Sequence, residues 1–323
     1  MKAFVTGGTG FIGSHLVDRL LREEGYEVRC LVRSNPKWLK GKPFTPVKGD
    51  LHDLPALKEA MNGVDVVFHN AGVVKARDSR DFERSNVEAT ENILRIARKV
   101  GVPKIVVLSS LAAAGPSNGT PIDESAPMRP ASRYGLSKMR MEEMIHRTAH
   151  PDDSITVLRP AAVYGPREED IYTFFKTASR GICPIIGDGH TQKVSLVHVD
   201  DVVDAILSAS TYQHRGVDTF FIGSERGYSW DEIKDATALA LGRRLTTIRI
   251  APGLVRNVGS IMEDIGGLFG RYPVINRDKA NELVLEWNCS VDKAVRLLGY
   301  RQNVGLHQGI ESTIQWYRNH NWL

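Results

Sequence analysis

The stretch "SRYGLSKMRMEEM" sets Tyr134 and Lys138 four residues apart. On a helix that spacing places both side chains on one face. A free phenol titrates near pH ~10 and is a poor proton-exchange group at neutral pH. A neighbouring ammonium favours the phenolate and brings that value down. Such chemistry also needs a group to hold the oxygen that exchanges the proton. "VVLSSLAAAG" offers Ser109 and Ser110 directly after an apolar run that reads as a strand. In a parallel sheet the carboxyl ends of the strands are where ligands sit. A tyrosine and a lysine four apart are common on any helix surface, so the weight of this pair comes from what surrounds it.

The N-terminus supplies the surroundings. "MKAFVTGGTGFIGSHLVDRLL" carries Gly7, Gly10 and Gly13 between an apolar strand and an amphipathic helix. Gly7 permits a tight turn, Gly10 lets the backbone approach a pyrophosphate, and Gly13 lets helix and strand pack closely. Phe11 and Ile12 complete the entry into the helix, whose N-terminal N–H groups and dipole favour an anion. The expected ligand is a dinucleotide. An NAD site wants an acid about twenty residues beyond the loop, on the ribose 2′-hydroxyl. The second strand ends instead in "VRCLVRSNPKW", which places Arg33 there and Lys37 nearby. A guanidinium binds a 2′-phosphate, so NADP(H) is favoured, with NAD(H) possible. "GDLHD" places Asp50 and Leu51 at the end of a third strand, where an adenine could be held.

These residues need a scaffold, and the chain writes one. "KAFVTG", "YEVRCLV", "VDVVFHNAG", "KIVVLSS" and "ITVLRPAAVYG" read as buried strands. Between them, "SHLVDRLLREEG", "PALKEAMNG", "VEATENILRIARKVG" and "YGLSKMRMEEMIHRTA" have the three- and four-residue apolar spacing of helices. Strand–helix alternation predicts an α/β doubly wound parallel sheet. After Gly165 the rhythm breaks into short elements and then a mostly helical region. A smaller, interleaved C-terminal domain is expected to close over a cleft. The expected division is 1–166 for dinucleotide binding, with 194–223 returning to it, and 167–193 with 224–323 for substrate.

The composition narrows the classes. The 323 residues are 42% hydrophobic and 25% charged, with a net charge of +4 and no long basic run, which does not call for nucleic acid. Cys30, Cys183 and Cys289 lie far apart without metal-ligand spacing, so no metal is expected and a reducing, cytoplasmic setting fits. No signal peptide and no integral membrane span are expected. The stretch 253–270 is amphipathic and reads as a pocket helix or a membrane-surface contact.

In order along the chain, "TGGTGFIGSHL", "GDLHD", "SNVEATENIL", "VVLSSLAAAG", "YGLSK", "LRPAAVYGP" and "SLVHVDDVVDA" resemble the motifs of the extended short-chain dehydrogenases/reductases, the NAD-dependent epimerase/dehydratase superfamily. The resemblance spans essentially the whole chain and implies a Rossmann domain with a smaller substrate domain. It implies Tyr134 as the acid–base and Lys138 as the group that holds the nicotinamide ribose and tunes the tyrosine. Counted back from Gly115, Ser110 matches the serine of that set better than Ser109. Ala71 and Gly72 would line the cofactor, Asn86 would lie near the site, and Pro160 and Ala161 would flank the nicotinamide. Sugar-nucleotide members carry a diphosphate-binding arginine where this chain has Val194, beside Lys193. "LVRSN" resembles instead the dihydroflavonol-reductase-like and sterol-dehydrogenase-like branches.

The expected activity is NADP(H)-dependent interconversion of a carbonyl and a secondary alcohol on a small molecule. The alternative is an NAD-dependent nucleotide-sugar epimerase or dehydratase. A catalytically silent dinucleotide-binding protein is a third possibility. The apolar residues Met139, Met141, Met144 and Ile145, together with the helix of "SNVEATENILRIARKV", suggest a homodimer through a four-helix bundle.

Overall fold

The computed structural model describes residues 1–22, 25–76, 78–257 and 277–323. Its centre is a seven-stranded sheet in the order β11-β6-β5-β4-β1-β2-β3. The strands are β1 (Lys2–Thr6), β2 (Glu27–Val32), β3 (Thr45–Lys48), β4 (Val66–His69), β5 (Lys104–Leu108), β6 (Ser154–Pro160) and β11 (Gly216–Ile222), and every adjacent pair is parallel. The chain leaves β1 toward β2 and β3, then crosses back to β4. That reversal opens a crevice beyond the carboxyl ends of β1 and β4.

The sheet is buried on both faces, which is why its strands read as unbroken apolar runs. Ala3 and Val5 point to one core with Val106, Leu108 and Leu158, under α1 (Phe11–Arg22) and α8 (Val199–Thr211). Phe4 points to the other with Ile105, Val107, Ile155 and Val157, under α2 (Leu54–Met61), α4 (Ala89–Val100) and α6 (Arg133–Thr148). Each fully buried aliphatic or aromatic side chain contributes roughly 1.5–3 kcal/mol.

"ITVLRPAAVYG" does not form a single strand. Beyond Pro160 the chain turns out of the sheet, and the Ala161 N–H donates to Ile222 O at 2.8 Å. Residues Ala162–Tyr164 (β7) pair with Leu196–His198 (β10) in a separate two-stranded sheet. Two further such sheets pair Lys193–Val194 (β9) with Tyr228–Ser229 (β12), and Ile182–Ile186 (β8) with Thr246–Ile250 (β13). An aromatic-rich third core joins Tyr164, Phe175, Tyr228 and Tyr317 under the helix Leu306–Asn319.

Three of the four apolar residues offered for a dimer face the protein's own sheet, and the fourth, Met139, is half-buried. Met141, Met144 and Ile145 are at most 1% exposed and pack with Ile155 and Val157 of the protein's own sheet. The outward residues of α4 and α6 include Arg95, Arg98, Arg140 and Glu143, so any contact there is between charged faces. No described helix is long and apolar enough to cross a membrane, and the described residues hold no group of three or more potential metal ligands. Most of 253–270 lies outside the described residues.

Candidate active site

β5 ends at Leu108, and the two serines that follow take opposite roles. Ser109 turns inward, and its hydroxyl donates to Glu142 Oε1 at 2.5 Å. Ser110 is extended and N-caps the short helix α5 (Leu111–Ala114), accepting from Ala112 N at 3.1 Å. Helix α6 begins beside it because Ser132 accepts from Gly135 N at 3.1 Å. Gly135 has no side chain because a Cβ there would collide with Ala112 O. That close approach of α5 and α6 sets the Tyr134 phenol beside the Ser110 hydroxyl.

Lys138 follows one turn on and is 4% exposed. Its ammonium donates to Leu108 O at 2.9 Å. A Cβ built on Gly72 would lie 3.3 Å from Lys138 Nζ and 3.0 Å from Asn86 Oδ1, so these three meet at the end of β4. Asn86 sits in a π-helical turn, Glu83–Glu88, at the entry to α4. Such turns re-aim side chains and recur at functional sites. Its amide accepts from Val73 N at 2.8 Å and donates to Val73 O at 3.1 Å and Ser137 Oγ at 2.9 Å, tying the β4 loop to α6.

The electrostatics differ from the sequence expectation. Burial pushes the Tyr134 phenol up to about 12; the Ser110 hydroxyl pulls it down and the Glu282 carboxylate pushes it further up. Burial also lowers the Lys138 ammonium to about 8, opposed by Glu142. In the protein alone the Lys138 ammonium is directed to a backbone carbonyl.

Below the site lies a buried polar layer with no sequence signal. Glu142, one turn beyond Lys138, receives Arg159 Nε at 3.0 and 3.1 Å and Nη2 at 2.6 Å. The Arg159 guanidinium carbon also lies 5.3 Å from the centre of the Phe221 ring. At the end of β4, His69 Nδ1 meets Thr6 Oγ1 at 2.7 Å, and Nε2 meets Thr90 Oγ1 at 2.9 Å. Burial holds this imidazole down to about 3, so it stays neutral. Thr90 in turn donates to Asn86 O at 2.6 Å.

The dinucleotide-loop residues line the crevice. Gly7 has a left-handed backbone (φ 70°), and a Cβ there would meet Ala71 N at 2.6 Å. A Cβ on Gly13 would strike Gly7 O, so side chains at either position would force apart the glycine turn, the start of α1 and the loop after β4. Gly10 is exposed and closes the turn with its N–H on Gly7 O at 3.0 Å; Phe11 and Ile12, which open α1, are half-buried. Arg33 and Lys37 are exposed beyond β2. Asp50 and Leu51 follow β3, with Leu51 O accepting from Asn92 at 3.1 Å. Pro160 and Ala161 are buried where β6 ends. The glycine turn and the crevice beyond it fit a dinucleotide.

The profile of the NAD dependent epimerase/dehydratase family matches residues 3–223. The chain belongs to that family. It is an enzyme of the extended short-chain dehydrogenase/reductase type, and the family's relatives divide by chemistry. A ceramide reductase of Caulobacter vibrioides (strain NA1000 / CB15N) is 30% identical, over 99% of this chain and 95% of its own length. A putative UDP-glucose 4-epimerase of Methanocaldococcus jannaschii is 32% identical over 98% of each chain. Among solved structures, MoeE5 in complex with UDP-glucose and NAD superposes with a TM-score of 0.78 at 29% identity, covering 99% of this chain and all of its own. The family thus supplies both reductases and sugar-nucleotide epimerases on this fold.

Proposed function

We propose that this enzyme is an NADP(H)-dependent reductase that interconverts a carbonyl and a secondary alcohol through Ser110, Tyr134 and Lys138. The nicotinamide, when bound, supplies or accepts the hydride at the substrate carbon. Tyr134 gives its hydroxyl proton to the carbonyl oxygen in the reducing direction and takes it back in the oxidising one. Ser110 holds that oxygen and, as a hydroxyl beside the phenol, favours the phenolate. Lys138, one helical turn from Tyr134, would hold the nicotinamide ribose, and its ammonium would favour the phenolate.

The observation that carries the reductase reading is on the substrate side. Val194, at the place of the sugar-nucleotide enzymes' diphosphate-binding arginine, is 7% exposed. It pairs with Tyr228, and the neighbouring Ser195 N–H donates to Trp287 O at 2.7 Å. The adjacent Lys193 lies 4.0 Å from Glu232. Behind Ser110, Leu111, Ala161, Phe221 and Cys289 form a buried core cluster with Ile122 and Trp287 packed against it. A buried, sheet-paired Val194 in place of an arginine offers a diphosphate no charge, which suits an uncharged ketone better. The ceramide reductase relative points the same way.

The epimerase reading rests on the UDP-sugar relatives, and one experiment separates the two. Purified protein is assayed for NADPH oxidation with a panel of long-chain and aromatic ketones, and for thermal shift with UDP-glucose. Ketone-dependent oxidation without a UDP-glucose shift is expected. Bound NAD together with a UDP-glucose shift overturns the proposal. Cofactor binding without turnover of either class leaves the silent dinucleotide-binding protein.

A further inference from the structure

We infer that Trp38, held by Arg167 and Trp316, is the positioning residue for Arg33 and Lys37, so that the C-terminal helix sets how strongly the enzyme prefers a 2′-phosphorylated cofactor. The inference rests on the NADP(H) reading and adds to it residues that do not touch the cofactor.

Arg33 and Lys37 alone make a poor anion site. Both are exposed, and long exposed side chains bind weakly unless the backbone beneath them is fixed. The structure fixes it. A 3-10 turn, Lys37–Leu39, follows β2, and Leu39 is fully buried in the sheet core. The Trp38 ring meets Trp316 edge-on, with centroids 5.6 Å apart, and lies 5.3 Å from the Arg167 guanidinium carbon. Arg167 donates to Ser14 Oγ at 2.9 Å and to Asp18 Oδ2 at 2.7 Å, both on α1. The other Asp18 oxygen pairs with Lys42 at the far end of the same loop. Trp316 is itself stacked on His320 at 4.0 Å and packed edge-on against Trp322 at 5.2 Å. The loop is thus fastened to both halves of the molecule.

Backbone strain marks the same place. Among the described residues the non-glycine positions with positive φ are Lys37 (47°), Arg167 (71°) and Asn321 (58°). Lys37 and Arg167 flank or stack on Trp38, and Asn321 adjoins Trp322 in the same aromatic group. A strained backbone persists only where its surroundings over-determine it. Here the surroundings are the Trp38 contacts, and the strained residue is one of the two proposed phosphate ligands. The Lys37 N–H is also held by Asn35 Oδ1 at 2.8 Å, and loss of the Trp38 clamp loosens the rest of the turn and lets the Lys37 ammonium move.

The test is titration of NADPH and NADH against wild type, Trp316→Ala, Trp316→Phe and Arg33→Ala. Trp316→Ala is expected to shrink the NADPH-over-NADH affinity ratio by about fivefold, the scale of one edge-to-face aromatic contact. NADH affinity stays within about twofold, since only the 2′-phosphate contact is lost, and Trp316→Phe restores most of the ratio. Arg167→Met, which keeps the aliphatic stem but removes the bonds to Ser14 and Asp18, is expected to act in the same direction and decides the matter if Trp316→Ala does not fold. A wild-type ratio in both Trp316→Ala and Arg167→Met overturns the inference. A ratio insensitive to Arg33→Ala overturns the NADP(H) reading itself.

Discussion

The two ends of the proposed cofactor groove are built on different physical terms. At the tyrosine end, Lys138 is 4% exposed, Ser110 is a helix cap, and Asn86 is tied to two elements. Beneath them Glu142 and Arg159 form a buried ion pair with side chains 0% and 6% exposed. At the other end Arg33 and Lys37 lie on an exposed loop held from one side by aromatic contacts. The buried end has rigidity and low dielectric, which proton transfer exploits. The exposed end has reach and charge, which suffice to discriminate one cofactor from another but are screened by salt.

The largest break in this contrast is expected at the tyrosine. Tyr134→Phe should lower turnover about 10²–10⁴-fold, the usual worth of a positioned acid–base. Cofactor affinity should stay near wild type in an equilibrium titration. Retained turnover would remove Tyr134 from the mechanism.

Next comes the layer below. Glu142→Gln leaves the Arg159 charge buried without its counter-ion, which costs about 3–5 kcal/mol. The double change Glu142→Gln with Arg159→Met should recover much of that loss, because both charges are then gone. Urea unfolding of the three proteins measures it. A single variant as stable as wild type would mean that the site floor is more adaptable than its geometry implies.

The exposed end should respond more mildly. Arg33→Asp is expected to weaken NADPH by about 1.5–3 kcal/mol, with NADH unchanged or improved. Raising salt should shrink the wild-type preference while leaving the NADH affinity largely alone. Equal wild-type affinities would make Arg33 a solvated strand end.

The smallest expected effect is a pH dependence carried by His69. Its folded-state value of about 3 lies below the ordinary 6.5, because burial disfavours the imidazolium. The unfolded chain therefore binds a proton that the folded one refuses between those values. The stabilisation is fully present above pH ~6.5 and is lost as pH falls toward ~3, by at most about 1.4 kcal/mol per pH unit. Unfolding free energies of wild type and His69→Asn at pH 7 and pH 5 test it. The variant should show the shallower loss.

The residues of the candidate catalytic end could be picked out because their information is local. Tyr134 and Lys138 share a helix face by spacing alone, and the glycine turn is contiguous at one strand–helix junction. The alternation of apolar runs and helical periods specified a parallel doubly wound sheet, since only a sheet buried on both faces accepts such strands. The sequence could not tell which apolar helix residues face inward. Met141, Met144 and Ile145 looked like surplus apolar area for a partner, and the sheet takes them all. It also could not show that β7 leaves the sheet, because that depends on β10, thirty-odd residues later in the chain, offering a parallel edge.

What tertiary structure alone decided is how residues remote in sequence meet. Ser109, Glu142 and Arg159 come from β5, α6 and β6; Thr6, His69 and Thr90 come from β1, β4 and α4; Trp38, Arg167 and Trp316 span most of the chain. None of these sets has a spacing rule, because each is fixed by the packing of whole elements and not by the period of one. The sequence determined the sheet and the chemistry carried on single elements. Packing between elements decided what holds that chemistry rigid, since burial and hydrogen-bond satisfaction are properties of the assembled fold.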